Sequence, residues 1–202
     1  MTREREQELI AAVLAGDADS FEPLVIEHQK KIYNLALRMT GDPDDAFDVT
    51  QDAFVRAYSS LKDFRGESAF GSWLYRLASN LCLDFLRSKK RHAVLSLSEE
   101  DGELDISDLR FSPESEIERA ELRDAVSRGL ERLPAAARQI IVMRDVSGLS
   151  YAEIAEILGL ELGTVKSRIA RAREKLIGIL SEDETFRARA ASKKRKEGKT
   201  HA

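Results

Sequence analysis

Apolar positions recur at three- and four-residue intervals along almost the whole chain, and no stretch alternates with period two between turn signals. That pattern predicts an all-α protein, which start and stop signals divide into helices. A first helix over residues 5–15 stops at Gly16, and Asp17 to Ser20 supply capping chemistry for a longer one ending at Met39. Gly41-Asp42-Pro43 breaks and restarts the chain, with Asp42 as the cap and Pro43 at the first helical position. A third helix is expected over residues 44–61, a loop over 64–68, and a long fourth helix as far as Arg91. Periodicity then fades between His92 and Pro113 into Ser, Asp, Glu and Gly, a composition too polar to build a core. Helices resume over residues 113–132 and 134–145, and two shorter pieces follow.

These breaks predict two small helical domains, residues 1–92 and 114–181, joined by a flexible acidic linker over 93–113. A basic tail over 182–202 is expected to be disordered, since Lys193-Lys194-Arg195-Lys196 sits among almost no apolar residues. The length of 202 residues suits two such units, and the 11 glycines and 4 prolines are few for a sandwich or barrel. The formal net charge is −4, but it is unevenly placed. Residues 96–119 carry 2 Lys/Arg against 9 Asp/Glu, whereas residues 120–180 carry 10 against 8. Affinity for an anionic partner must therefore come from local faces. A lone cysteine, Cys82, excludes a disulfide framework and reads as a small buried residue in a reducing compartment. The charged amino terminus and the shortness of the longest apolar run, Ile140-Ile141-Val142-Met143, predict a cytoplasmic chain with no membrane insertion.

The clearest motif begins at Ser150, which with Glu153 forms a capping box, while Gly159 ends a short helix. The next helix, starting between Glu161 and Thr164, draws one apolar stripe through Val165, Ile169, Ala172, Leu176 and Leu180. At about 100° per residue, Ser167, Ala170 and Glu174 lie opposite that stripe, bordered by Lys166 and Arg171. Arg168, Arg173 and Lys175 fall on its flanks. Short helix, glycine turn and basic second helix make a helix-turn-helix, whose second helix enters the major groove of DNA. A plain helical hairpin with a solvated basic face is the competing reading.

Two further faces carry chemistry. On the fourth helix, Phe70, Leu74, Leu77, Ala78, Leu81 and Phe85 form the expected buried stripe. Arg76, Asn80, Leu83 and Arg87 then point away, Trp73 and Tyr75 lie on the margins, and Arg87-Ser88-Lys89-Lys90-Arg91 closes the helix. Aromatics among cations suit an unpaired DNA strand, although a lone Trp is more often a partly buried core residue. On the third helix, Phe47, Phe54, Tyr58 and Leu61 are expected inward, and Asp45, Asp48, Asp52 and Arg56 outward. That acidic face repels DNA and is either solvated or a dock for a basic protein surface.

Three segments together closely resemble the extracytoplasmic-function group of bacterial sigma factors. They are Asp45-Ala-Phe-Asp-Val-Thr-Gln-Asp-Ala-Phe-Val-Arg-Ala57, Phe64-Arg-Gly-Glu-Ser-Ala-Phe70 with Trp73-Leu-Tyr-Arg76, and Gly163-Thr-Val-Lys-Ser-Arg168. The resemblance spans residues 5–92 and 114–180. It implies that Asp45, Asp48, Gln51, Asp52, Phe54 and Arg56 dock on core RNA polymerase. It further implies that Phe64, Arg65, Ser68, Trp73, Tyr75, Arg76, Asn80, Arg87, Lys90 and Arg91 capture and melt the minus-ten element. Thr164, Lys166, Ser167, Arg168, Ala170 and Arg171 are implied to read the minus-thirty-five element, where Ala170 offers at most methyl contact with thymine.

The resulting expectation is an alternative sigma factor that directs promoter-specific initiation, with core RNA polymerase, double-stranded and melted promoter DNA, and an anti-sigma factor as partners. His28, His92 and His201 are scattered, and the chain shows no glycine-rich phosphate cradle or nucleophile–base pair. No catalytic residue, cofactor or metal is therefore expected. Two alternatives stand beside this reading: a stand-alone helix-turn-helix regulator with a sensing first half, and an interaction protein that sequesters a partner without binding DNA.

Overall fold

A computed structural model describes residues 1–95, 113–183 and Phe186, and no strand occurs among them. The expected linker and tail lie almost wholly outside the described residues. In order, the helices are α1 (Arg3–Leu14), α2 (Glu22–Thr40), α3 (Pro43–Ser59), α4 (Phe70–Leu95), α5 (Pro113–Glu131), α6 (Ala135–Ile141), α7 (Tyr151–Leu158) and α8 (Leu162–Glu182). Short 3₁₀ turns at Ala18–Phe21 and Leu61–Asp63 lead into α2 and out of α3.

Local chemistry sets most of the ends. Gly41 closes α2 at φ 80°, a left-handed conformation costly for any residue with a Cβ, and its amide donates to Leu37. Asp42 then accepts from the amides of Asp44 and Asp45 at 2.9 Å, with Pro43 in the first turn of α3. The expected helix over 134–145 breaks after Ile141 into a π-turn at Val142–Val146, where the Ser147 amide reaches back to Val142 at 2.8 Å.

Helices α1 to α4 form the first unit, and α5 to α8 the second. The side of α3 that packs on α2 and α4 is built largely of small residues: Ala46, Ala53 and Ala57 are fully buried beside Val49. Small side chains let two helix axes approach closely, so the aromatic residues of α3 have no room in this seam. Phe47 and Tyr58, expected inward, are accordingly 57% and 46% exposed, Tyr58 meeting Phe21 edge-on. Phe54 and Leu61 are buried as expected.

The two units share one apolar core, running from Leu24, Ile32 and Leu35 through Leu74 and Ala78 to Ile140, Met143, Ile154 and Ile169. Polar contacts stitch the same boundary. The buried guanidinium of Arg138 on α6 donates to the Met39 carbonyl at the end of α2 and to the Glu131 carbonyl. Gln139 donates to Ser79 at 2.5 Å, Arg38 donates to Ser127 at 3.1 Å, and the Tyr75 and Ser147 hydroxyls pair at 2.8 Å. Burial pushes the Tyr75 phenol up to about 12, against a smaller opposing effect of the Ser147 hydrogen bond.

Candidate nucleic-acid interface

The helix-turn-helix forms as its sequence signals require. The Ser150 hydroxyl accepts from the Glu153 amide at 3.2 Å, and the Glu153 carboxylate accepts from the Ser150 amide at 2.7 Å. The Ser150 amide, and after it the Ser150 side chain, hold the Glu153 carboxyl below its ordinary range. Gly159 turns the chain at φ 62°, and α8 starts at Leu162. Val165, Ile169 and Ala172 are buried, while Lys166, Ser167, Arg168, Ala170 and Arg171 stand on the exposed side and Thr164 is half-buried. The Arg171 guanidinium folds back on the Ser167 carbonyl at 3.3 Å.

The α4 face is arranged differently. Arg65, Arg76, Asn80, Arg87, Lys90 and Arg91 are exposed, with Arg87 ion-paired to Asp84 at 3.0 Å. Phe64, Phe70 and Trp73 form an aromatic cluster with ring centroids 5.3 to 5.8 Å apart, leaving Phe64 and Trp73 half-buried. Tyr75, expected on the margin, is instead 1% exposed. The physical reason is a second packed face on α4: Tyr75 and Ser79 bond into the second unit and Cys82 is buried as well, so the helix is buried over a wider arc than one stripe. Leu77 and Phe85 correspondingly stay half-buried. A cleft of about 330 Å³ lies between the start of α4 and α7, lined by Ser68, Ser72, Trp73, Arg76, Glu156 and Ile157 among others.

On α3, Asp48, Gln51, Asp52 and Arg56 are exposed. Asp45 is half-buried and ion-paired with Lys89 at 2.7 Å, and Phe54, with only 8% exposure, is a core residue unable to offer a face to a partner. Sequence reasoning missed Phe47 and Val55, both more than half exposed on the acidic face. The missed signal is the row Ala46, Val49, Ala53 and Ala57, whose three- and four-residue spacing marks the true buried side.

This arrangement, a helix-turn-helix unit packed on a four-helix unit with an acidic flank, defines a class. Residues 24–92 match the family Sigma-70 region 2, and residues 123–176 match Sigma-70, region 4. The chain is 40% identical over 179 residues to the RNA polymerase sigma-H factor of Pseudomonas aeruginosa, covering 86% of this chain and 93% of that one. It is also 40% identical over 174 residues to the ECF RNA polymerase sigma-E factor of Escherichia coli, covering 84% and 91%. Among solved structures, it resembles CnrH in complex with the cytosolic domain of CnrY, with TM-score 0.63, 28% identity and coverage of 89% and 99%. The sigma factor RpoE in complex with the anti-sigma factor NepR from Bartonella quintana gives TM-score 0.64 at 26% identity, covering 81% and 98%. The chain belongs to the extracytoplasmic-function sigma factors, and its function is that of an alternative sigma factor in transcription initiation.

Proposed function

We propose that the chain acts in the cytoplasm by position rather than by catalysis, and that its three faces divide the work. The exposed row Lys166, Ser167, Arg168, Ala170 and Arg171, with Thr164 at its edge, reads the minus-thirty-five element as duplex. The α4 face, with Arg65 and Ser68 from the preceding loop, takes the minus-ten strand. The acidic face of α3 docks on core RNA polymerase through Asp48, Gln51, Asp52 and Arg56, joined by Phe47 and Val55. The observation that carries this reading is the row on α8, whose donors stand on one solvent face with a continuous buried stripe behind them. Such a face presents donors to guanine edges and phosphates together. An anti-sigma factor is a further proposed partner, on the strength of the two complexes to which the fold is similar. Residues 1–92 and 114–181 are proposed as the functional units, with 93–113 connecting them.

Promoter engagement requires the units to separate. The two promoter elements lie about 25 base pairs apart, roughly 85 Å of duplex. Here α4 and α7 face each other across one cleft, and Tyr75 is sealed between the units. The closed form therefore leaves the upstream reader free while restricting the downstream one, and opening on the polymerase would complete the site.

The test is transcription from a promoter template by purified core polymerase with and without the chain. Initiation only in its presence supports the reading, and a stand-alone regulator would bind DNA yet fail to convert core polymerase. Reversing charge at Asp48 and Asp52 together should abolish recovery of the chain with core polymerase while leaving its circular dichroism unchanged. Undiminished binding by that folded variant would remove α3 from the docking role.

A further inference from the structure

On α8, Arg173 lies on the flank of the apolar stripe, two turns beyond Lys166 on nearly the same side, where a contact with DNA phosphate is one reading of it. The structure turns its guanidinium elsewhere. Nε donates to Asp145 Oδ2 at 3.0 Å and Nη2 donates to Asp145 Oδ1, a two-pronged match of fork to carboxylate. Asp145 sits in the π-turn that precedes α7. Its neighbour Arg144 donates to the Leu149 carbonyl at 2.7 Å and lies over the Tyr151 ring at 4.7 Å. The same turn is thus tied to the first residue of α7 by Arg144 and to the middle of α8 by Asp145. The Arg173 guanidinium also interacts with the Tyr151 side chain at the start of α7, and the two helices of the helix-turn-helix further share an apolar cluster that includes Ile154, Ile157, Val165 and Ile169, whose non-directional packing permits small rotations.

We propose that Asp145 is a specificity-determining residue of the upstream reader that never touches DNA: by holding Arg173 it fixes the rotation of α8, and Arg173 is a positioning residue rather than a phosphate contact. The inference rests on the assignment of α8 to duplex DNA. A rotation of 10–20° or a shift of about 0.5 Å is enough to spoil a bidentate base contact. Freed from Asp145, α8 would present Lys166 and Arg171 to the groove in a less defined register. Affinity for any phosphate backbone would survive, and discrimination would fall. A phosphate role for Arg173 demands the opposite result. Removing Asp145 would then release a competing carboxylate and tighten binding.

The experiment uses the full chain bound to core polymerase and an upstream duplex selected from a random pool by the unaltered holoenzyme. Asp145→Ala, Asp145→Asn, Arg173→Ala and the double Ala variant are compared for discrimination against single-base changes and for the salt dependence of binding. Each is expected to lose about tenfold in discrimination, with the double variant no worse than either single one. The slope of log affinity against log salt should stay unchanged, whereas a lost phosphate contact would reduce it by about 0.9. The reversed pair, Asp145→Arg with Arg173→Asp, should recover part of the discrimination. Tighter binding by Asp145→Ala, or a reduced slope for Arg173→Ala, overturns the proposal. So does an equal loss on selected and scrambled duplexes with a matching fall in thermal stability. Full discrimination by the Asp145 variants while Arg171→Ala loses it also overturns the proposal; if Arg171→Ala itself leaves the selected duplex fully discriminated, the assignment of α8 to the upstream element fails, which is a separate outcome.

Discussion

The two faces proposed for DNA are both helical, both cationic and both backed by a buried apolar stripe, yet they stand in different conditions. On α8 the proposed base-reading side chains meet solvent almost without exception, and the face is complete as it stands. On α4 the aromatic members are drawn into packing: Phe64 and Trp73 lean on Phe70, and Tyr75 is closed under Ser147. The difference follows from what each face has to hold. Duplex edges are met by protruding donors, which need no cover when idle. An unpaired base is met by stacking surface, which is apolar and costs free energy while exposed. Packing Phe64 and Trp73 on Phe70, and Tyr75 against the second unit, offsets that cost in this form.

The largest expected effect comes from opening the contact between the units. Arg138→Ala removes a buried donor pair and leaves the Met39 and Glu131 carbonyls without it, a loss of about 3 kcal/mol at the usual cost of buried unsatisfied groups. Fluorescent labels on the exposed sides of α3 and α8 should then report a longer distance in the free chain. An unchanged distance would mean that the shared apolar core alone sustains the closed form.

A comparable but separable effect is expected at the two faces themselves. Arg171→Ala should weaken upstream duplex binding by about 1–3 kcal/mol if its contact is bidentate. Trp73→Ala should spare that binding and impair strand opening, since stacking worth about 1–3 kcal/mol is felt only by an unpaired base. A promoter melted in advance should therefore rescue Trp73→Ala far more than Arg171→Ala in abortive transcription. Equal rescue would erase the distinction between the faces.

The smallest effect is a pH dependence of closure. The buried Tyr75 phenol is raised from 10.0 to about 12, so the closed form favours the protonated hydroxyl. Its contribution is at full strength below pH 10 and is lost as pH rises from 10 toward 12. The label distance should increase over that window, and Tyr75→Phe should remove this component at a cost of about 1 kcal/mol for the missing hydrogen bond. An identical pH profile in Tyr75→Phe would assign the titration to another group.

Much of the chain was legible from local signals. Asp42-Pro43 at the start of α3, the Ser150–Glu153 box and the glycines at 41 and 159 are covalently close to the ends they set, so their chemistry acts whatever packs outside. The basic row on α8 was equally legible, because one strong apolar stripe leaves only one side free. The reading failed where a helix packs on more than one neighbour. Wheel geometry gave α4 a single buried side and gave the α3 seam to its aromatics, yet α4 is buried on two sides and the seam is alanine.

Helix positions, the cap and turn chemistry and the exposed face of α8 were thus decided within a few residues of each feature, by backbone hydrogen bonds and 3.6-residue periodicity. The burial of Tyr75, the turning of Phe47 and Val55 to solvent, the capping of α2 by Arg138 and the capture of Arg173 by Asp145 were decided only by tertiary structure. Each pairs groups that are distant in sequence or presented by different helices. Which of several amphipathic sides is covered depends on the shape and size of the surface that arrives, and no local periodicity encodes that.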